Sequence, residues 1–566
     1  MNRSTKTPNR VCRNILIILF IAGAVPLWAA PDFFSDKDIS PLAAELAGDM
    51  DDTELLGQLF LLGYFGRHPS PEILEWIRDK KIGGIKIFGW NAENLQELGE
   101  SIARMQTEAS MTRLKIPLFI ATDQEGGWVR HVKGDTSITP GNIAIGASGV
   151  PYDAYYTGKY IGEELRLLGI NMNFAPTVDV YVNKDAHVIG PRSFSEDPLT
   201  TANLALAYYR GMQTAGIICT AKHFPGHGNA TEDSHGTLPQ IFTDFDTLWE
   251  RDLLPYRFLI KNDLPAIMSA HLAFPEILDE TVPASLSPYF LKEVMREKLR
   301  FDGIIITDDM RMNGVLHNGN GISESCLQAV KAGNDMIMIS HDHQMYRKVW
   351  NTLYREMQND PEFHQSVEQS VVRILKVKLE YLKGENAVPL LPDRTEIREG
   401  IPSSEGSSFF FNQACRSASL VADKLLPFEH DEDGILLAAQ LNQFLQIGKE
   451  FYPEADTYYF PYAPFYHAEE QYISELLKKA EQYGTVIFCL ANPNSAEVLK
   501  AISQTESETD YIVISVLTPV YLRDLPGIET AIAVYGTGRD SFSAGFAVLG
   551  GMFSAEGRVP IQLLQE

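Results

Sequence analysis

The stretch Gly216-Ile217-Ile218-Cys219-Thr220-Ala221-Lys222-His223-Phe224-Pro225-Gly226-His227-Gly228-Asn229-Ala230-Thr231-Glu232-Asp233-Ser234-His235 passes abruptly from an apolar run to a glycine-rich polar loop. The run Ile217 to Ala221 reads as a buried strand, since fully covered parallel strands are near-continuous in apolar residues rather than alternating. The following loop carries three imidazoles and two carboxylates. In α/β folds the edge where parallel strands end is where active sites are built. The loop is therefore read as catalytic.

Working outward, seven further short apolar runs recur between helical patterns: Leu59 to Gly63, Gly84 to Phe88, Leu118 to Asp123, Met172 to Pro176, Ala266 to His271, Ile304 to Asp308 and Met336 to Ser340. The intervening stretches are helix-like. In 198–214, Leu199, Ala202, Leu206 and Tyr209 fall on one predicted face, and Gly216 supplies a stop. Eight β/α alternations over some 300 residues point to a (β/α)8 TIM-type barrel, with an open doubly wound sheet as the alternative.

The chain has 566 residues, too many for one core. Residues 1–30 have the plan of a secretory signal peptide: Arg3, Lys6, Arg10 and Arg13, the run Ile15 to Ala22, and a small-residue exit at Ala29-Ala30. Cleavage near Ala30 implies export, to the periplasm or beyond the cell, and no membrane association afterwards; an uncleaved anchor is the alternative. Residues 31–385 hold the expected barrel. Residues 386–408, with Pro389, Pro392, Pro402 and Ser403-Ser404-Glu405-Gly406-Ser407-Ser408, read as a linker. In 409–566 the runs Gly434 to Ala438, Thr485 to Leu490, Tyr511 to Val516 and Ala531 to Tyr535 alternate with helical patterns such as 469–482, as in a second, smaller α/β sandwich.

The formal charge is −26, and −30 for residues 31–566, which excludes nucleic acid as the expected partner and reads as an acidic, solvated surface. Beyond the leader, Cys219, Cys326, Cys415 and Cys489 show no close pairing and read as small buried hydrophobes, not a disulfide framework.

Asp308 follows three isoleucines and Thr307, so it should leave the seventh strand at the barrel mouth, with Asp309 beside it. Side chains alternate along a strand, so one of the pair faces inward and the other suits a helix N-cap. A carboxylate there can attack an anomeric carbon and hold a sugar as an ester. A second group must protonate the departing oxygen and then deprotonate water, with a pKa near ambient pH. Asp233-Ser234-His235 sets a carboxylate two residues from an imidazole, where a hydrogen bond can fix its tautomer. His223, His227, His235 and Asp233 could alternatively bind zinc. Pro225 and Gly226 disfavour a helix between the first two, and neither His-Glu-x-x-His nor a nearby loop cysteine is present, so no metal or cofactor is expected. His271, ending the sixth strand, reads as a hydrogen-bonded mouth residue. Asp123-Gln124-Glu125-Gly126-Gly127 and Gly190-Pro191-Arg192-Ser193-Phe194 follow the third and fourth strands, and their charges suit sugar hydroxyls.

With these residues in view, the chain resembles glycoside hydrolase family 3, in particular its β-N-acetylhexosaminidase branch. Val294-Met295-Arg296-Glu297-Lys298 and Gly303-Ile304-Ile305-Ile306-Thr307-Asp308 are similar to that family's active-site signature, and the Lys222 to His235 segment is similar to the branch's catalytic loop. The resemblance implies Asp308 as nucleophile, His235 as general acid/base and Asp233 as its polarising partner. It implies Asp123, Arg192, Lys222 and His223 as contacts to the hydroxyls of a terminal N-acetylglucosamine. The family usually has an arginine eight residues after the first aspartate of Asp-Gln-Glu-Gly-Gly; this chain has His131 there, with Arg130 just before. The expectation is an exported retaining β-N-acetylhexosaminidase acting on cell-wall fragments or chitooligosaccharides. A phosphorylase using the same residues, a β-glucosidase and a non-catalytic sugar-binding protein are the alternatives. The second domain is not expected to donate the acid/base residue.

Overall fold

The computed structural model describes residues 32–563 apart from 233, 235, 279, 317–320, 430–432, 462–469 and 505–507. The leader-like residues 1–30 and the pair Asp233 and His235 thus lie outside the described residues.

Sixteen strands are described: β1 (Phe60–Gly63), β2 (Gly84–Lys86), β3 (Phe119–Thr122), β4 (Gln124–Gly126), β5 (Val129–Arg130), β6 (Met172–Asn173), β7 (Ile218–Phe224), β8 (Ala266–Ser269), β9 (Ile304–Asp309), β10 (Met336–Ile339), β11 (Ser419–Asp423), β12 (Ile435–Ala439), β13 (Asp456–Tyr459), β14 (Thr485–Leu490), β15 (Asp510–Val516) and β16 (Thr530–Tyr535). Strands β1, β2, β3, β6, β7, β8, β9 and β10 close into a parallel barrel in chain order. These are the eight runs expected to be strands, and closure, rather than an open sheet, follows from the parallel pairing of β10 with β1. Their apolar side chains are almost wholly buried in one continuous core with the surrounding helices. The β4–β5 hairpin rises from the rim directly after β3.

Three details differ from expectation. Strand β7 runs on to Phe224, with an irregular register against β8 between Ala221 and Phe224, so Lys222 and His223 project from the strand and not from the loop. The helix Pro198–Thr214 is present, but it buries Thr201, Ala202, Leu204, Ala205, Tyr208, Tyr209 and Met212, while Leu199 is 50% exposed. The packed face is wider than the single stripe of spacing suggested, because helices pack on both sides of it. Third, the residues 386–408 expected as a linker carry the helix Arg394–Gly400 and the start of the helix Ser404–Ser417. Ile397 is buried against Gly99, where a Cβ would lie 2.5 Å from its Cδ1. Further along, Arg416 pairs with the buried Asp153. Asp393 and Ser403 cap the two helices, so the Pro- and Ser-rich texture marks helix starts here, not a free chain.

The second domain is a six-stranded sheet ordered β11-β16-β15-β14-β12-β13, parallel except for β11. Its four central strands are the four expected runs. The outer two, β11 and β13, are half-exposed edges, β11 with only the short run Leu420-Val421-Ala422 and β13 with no aliphatic residue, and so carry a weaker pattern than the central four. One apolar cluster spans both domains, joining Ile143, Ala144, Ala147, Tyr181 and Ala186 of the barrel domain to Val520, Tyr521, Leu522 and Ile561. Polar links seal it: Arg523 pairs with Asp185, and Ser195 Oγ donates to Pro560 O at 3.1 Å. The second domain is thereby held beside the barrel mouth. Among the described residues no helix is long and apolar enough to cross a membrane.

Candidate active site

A cleft of about 500 Å³ opens at the carboxyl ends of the barrel strands, a size in the range that encloses drug-sized ligands. It is lined by Asp308 and Asp309 from β9, Lys222 and His223 from β7, Lys86 from β2, Asp123 after β3, Arg192 after β6, and Ser234 beside the undescribed pair. Phe88, Trp90 and Trp128 form an aromatic rim; Phe88 and Trp90 stack with ring centroids 4.6 Å apart. Such faces suit the C–H surfaces of a pyranose.

The two aspartates of β9 are distinguished by their partners. Asp309 Oδ1 accepts from the backbone N–H of Arg311 and of Ser340, each at 3.1 Å, which ties it to the loops after β9 and β10. Asp308 accepts from the Asp309 N–H at 2.8 Å. Burial alone would raise the Asp308 carboxyl, but His223, His271, that N–H and Lys222 overcome it and hold the group below its ordinary value. It is thus ionised at neutral pH. His271 is fully buried; its Nε2–H donates to the Asp309 carbonyl at 3.2 Å, and its Nδ1 accepts from Ser285 Oγ at 2.7 Å. It is hydrogen-bonded, as read from sequence, but it is buried and is not among the cleft-lining residues.

The four expected substrate contacts form one alternating chain of charges. Lys222 Nζ lies 2.5 Å from Asp123 and 2.6 Å from Glu125. Glu125 accepts two hydrogen bonds from Arg192, at 2.9 and 2.7 Å, and Arg192 Nη2 lies 3.0 Å from His223 Nε2. His223 Nδ1 is 2.7 Å from the buried Asp179. The carboxylate fixes Nδ1 as the protonated nitrogen, so Nε2 accepts from Arg192. Burial would raise both carboxyls, yet Arg192 and Lys222 hold Glu125 at about 2, and His223 and His227 hold Asp179 at about 2. Every member of the chain has an opposite neighbour, the condition under which buried charge is tolerated.

Three members of this array were not singled out from the sequence. Glu125 was seen only as part of its motif. Asp179 stands among apolar residues, and a carboxylate there was the available signal. Lys86 is the clearest case: an ammonium inside Gly84-Ile85-Lys86-Ile87-Phe88, 1% exposed and 2.5 Å from Asp123. Burial and the neighbouring Lys222 pull its pKa down. The departure at 131 is also resolved. His131 lines the cleft with Nδ1 3.1 Å from Lys86 Nζ and 3.6 Å from Asp123, whereas Arg130 turns away to Thr136.

The glycines of the 222–235 segment have a packing reason. A Cβ on Gly228 would lie 1.6 Å from Val180 O, and Gly226, at φ +141°, backs onto Asp252. Close approach lets Asp179 accept from the His227 N–H at 2.7 Å. His227 itself is buried, and burial followed by His223 lowers its pKa to about 4. The His223 imidazole is engaged on Asp179, and no group of three or more metal-ligating side chains is gathered among the described residues.

The arrangement places an ionised carboxylate at the floor of a sugar-sized cleft ringed by paired charges and aromatic faces. The Glycosyl hydrolase family 3 N terminal domain model matches residues 52–377, more than half the chain. The chain belongs to glycosyl hydrolase family 3, and is a glycoside hydrolase. It is 33% identical over 308 residues to a beta-hexosaminidase of Haemophilus influenzae, covering 54% of this chain and 85% of that protein. To beta-hexosaminidase A of Pseudoalteromonas piscicida it is 34% identical over 330 residues, 54% of this chain but only 55% of that longer relative. The solved structure of a glycoside hydrolase family 3 beta-N-acetylglucosaminidase from Paenibacillus sp. str. FPU-7 superposes with a TM-score of 0.81 at 28% identity, covering 91% of this chain and 99% of that one.

Proposed function

We propose that this protein is an exported retaining β-N-acetylhexosaminidase that removes terminal β-linked N-acetylglucosamine from cell-wall fragments or chitooligosaccharides. The observation carrying the reading is Asp308, ionised at the cleft floor and flanked by the Asp123–Lys222–Glu125–Arg192–His223 chain. Support also comes from the hexosaminidase names of relatives that match about half of this chain.

In the first step Asp308 attacks the anomeric carbon as the glycosidic bond breaks, and His235 gives its proton to the departing oxygen. In the second step His235 takes a proton from water, whose oxygen attacks the same carbon and releases Asp308. Two inversions give net retention. Asp233 steadies the imidazolium that gives the first proton and that forms again when water is deprotonated. Asp123, Lys222, Arg192 and His223, with Lys86, hold the hydroxyls of the terminal sugar through charged hydrogen bonds, which are the stronger and more directional kind. The leader-like residues 1–30 support export.

The test is release of 4-nitrophenol from its N-acetyl-β-glucosaminide by residues 31–566, with and without phosphate. Turnover without phosphate is expected, abolished in Asp308→Ala and reduced about 10²- to 10⁴-fold in His235→Ala. Strict dependence on phosphate, with a sugar 1-phosphate as product, would make the protein a phosphorylase. Sugar binding with no turnover on any glycoside would leave a binding protein.

A further inference from the structure

One wall of the cleft belongs to the second domain. Ala491, Asn492 and Pro493, at the junction of β14 with the helix Pro493–Ser503, face the same space as Leu517 and Tyr521. Asn492 is 3% exposed. Its Oδ1 accepts from the Ser495 N–H at 2.8 Å and caps the helix, so the orientation of the amide is fixed. That leaves Nδ2, buried and without a hydrogen-bond partner among the described residues. A buried donor left unpaired costs about 1–3 kcal/mol, and native structures keep few of them. Asn492 is one of the cleft-lining residues, at a helix N-terminus whose dipole favours electron-rich oxygen.

The company of Asn492 narrows what would satisfy it. Leu517, Pro493 and Ala491 are apolar, and Tyr521 packs against His187 with the rings tilted 35° and their centroids 5.5 Å apart. No carboxylate or cation of the second domain lines the cleft among the described residues. An apolar, partly aromatic wall with one fixed N–H donor matches a neutral pyranose: its C–H face lies on the apolar side chains and one oxygen accepts from the amide. The charged array that holds the terminal sugar comes wholly from the barrel domain, so the second-domain wall is left for the ring on the other side of the scissile bond. We propose that Asn492, with Leu517 and Tyr521, forms the leaving-group sugar site, and that Nδ2 donates to a hydroxyl or N-acetyl oxygen of that sugar. This rests on the hydrolase reading above.

The test uses the full chain and two substrates: N,N′-diacetylchitobiose, whose leaving group is a sugar, and phenyl N-acetyl-β-glucosaminide, whose leaving group has no further acceptor. Asn492→Asp and Asn492→Ser both keep an oxygen for the Ser495 N–H while removing the Nδ2 donor. Each is expected to lower kcat/KM on the disaccharide about 5- to 10-fold, the size of one neutral hydrogen bond, and to leave the phenyl glycoside within about twofold. Thermal midpoints equal to the parent's would show the cap intact. Equal losses on both substrates, or none on either, would overturn the site while leaving the hydrolase reading standing. A parent chain inactive on both would instead remove the hydrolase reading, and this site with it.

Discussion

Glu125 grips Arg192 through two parallel hydrogen bonds, and because Glu125 is 1% exposed the pair depends on protein partners in place of water. The same carboxylate also holds Lys222. One side chain therefore sets the position of two cations that face the substrate, and the third link, Arg192 to His223, follows from it.

Replacing Glu125 by Gln should leave two buried cations short of a counter-charge. Loss of one partner of a buried pair costs about 3–5 kcal/mol, so a large fall in thermal midpoint is expected with a kcat/KM loss. Arg192→Met should be less than additive with Glu125→Gln in a double-mutant cycle. Strict additivity would mean the two side chains act independently.

Lys86 and His131 offer a rescue experiment. Lys86→Leu leaves Asp123 with a single ammonium and should reduce kcat/KM about 10- to 100-fold, the range for a hydrogen bond to a charged group. Since His131 lies 3.6 Å from Asp123, adding His131→Arg to Lys86→Leu should recover much of the loss, whereas His131→Arg alone should crowd a second cation against Lys86. A double variant no better than Lys86→Leu would show that position 131 cannot supply the charge.

Gly228→Ala forces a Cβ onto Val180 O, 1.6 Å away before adjustment. The loop backbone must shift, which should cost about 1–3 kcal/mol and displace the chain leading to Asp233 and His235. Turnover should fall more than binding of N-acetylglucosamine. An unchanged kcat would show that the loop does not depend on this close approach.

Stability should decline in acid in two stages. His131 and His227 are held at about 4 by burial, against an ordinary 6.5. Depressed groups bind fewer protons folded than unfolded, so stability falls as pH drops from about 6.5 toward 4. Asp252, raised to about 6 by burial, has the opposite sign and offsets part of this. Below the ordinary values of 4.5 and 3.8, Glu125 and Asp179, both at about 2, add a second loss that grows to about 3 and about 2 kcal/mol respectively as the pH nears 2, part of it already present at pH 3. Thermal midpoints measured from pH 7.5 to 3 should show both, and Glu125→Gln should flatten the lower limb. A midpoint constant from pH 6.5 to 4 would contradict the neutral, buried histidines.

The barrel was legible from the chain because each buried parallel strand is a short run of apolar residues, and eight of them between helical patterns admit few architectures. That Asp308, Asp123, Arg192, Lys222 and His223 share one rim was legible because each ends such a run or lies in the loop after it; the roles expected of them came from the family resemblance. What sequence order could not carry was pairing across the barrel. That Lys86 of β2 reaches Asp123 after β3, that Asp179 sets the tautomer of His223, and that His131, not Arg130, turns inward are facts of side-chain direction fixed by packing. The same holds for the second domain, whose Asn492 is nearly 200 residues from Asp308 in the chain. The apolar interface around Tyr181 and Ile561, with the polar links that seal it, brings it to the cleft. Local runs of residues determine which elements form; contacts between elements distant in sequence exist only once the core has closed and decide which side chains share the site.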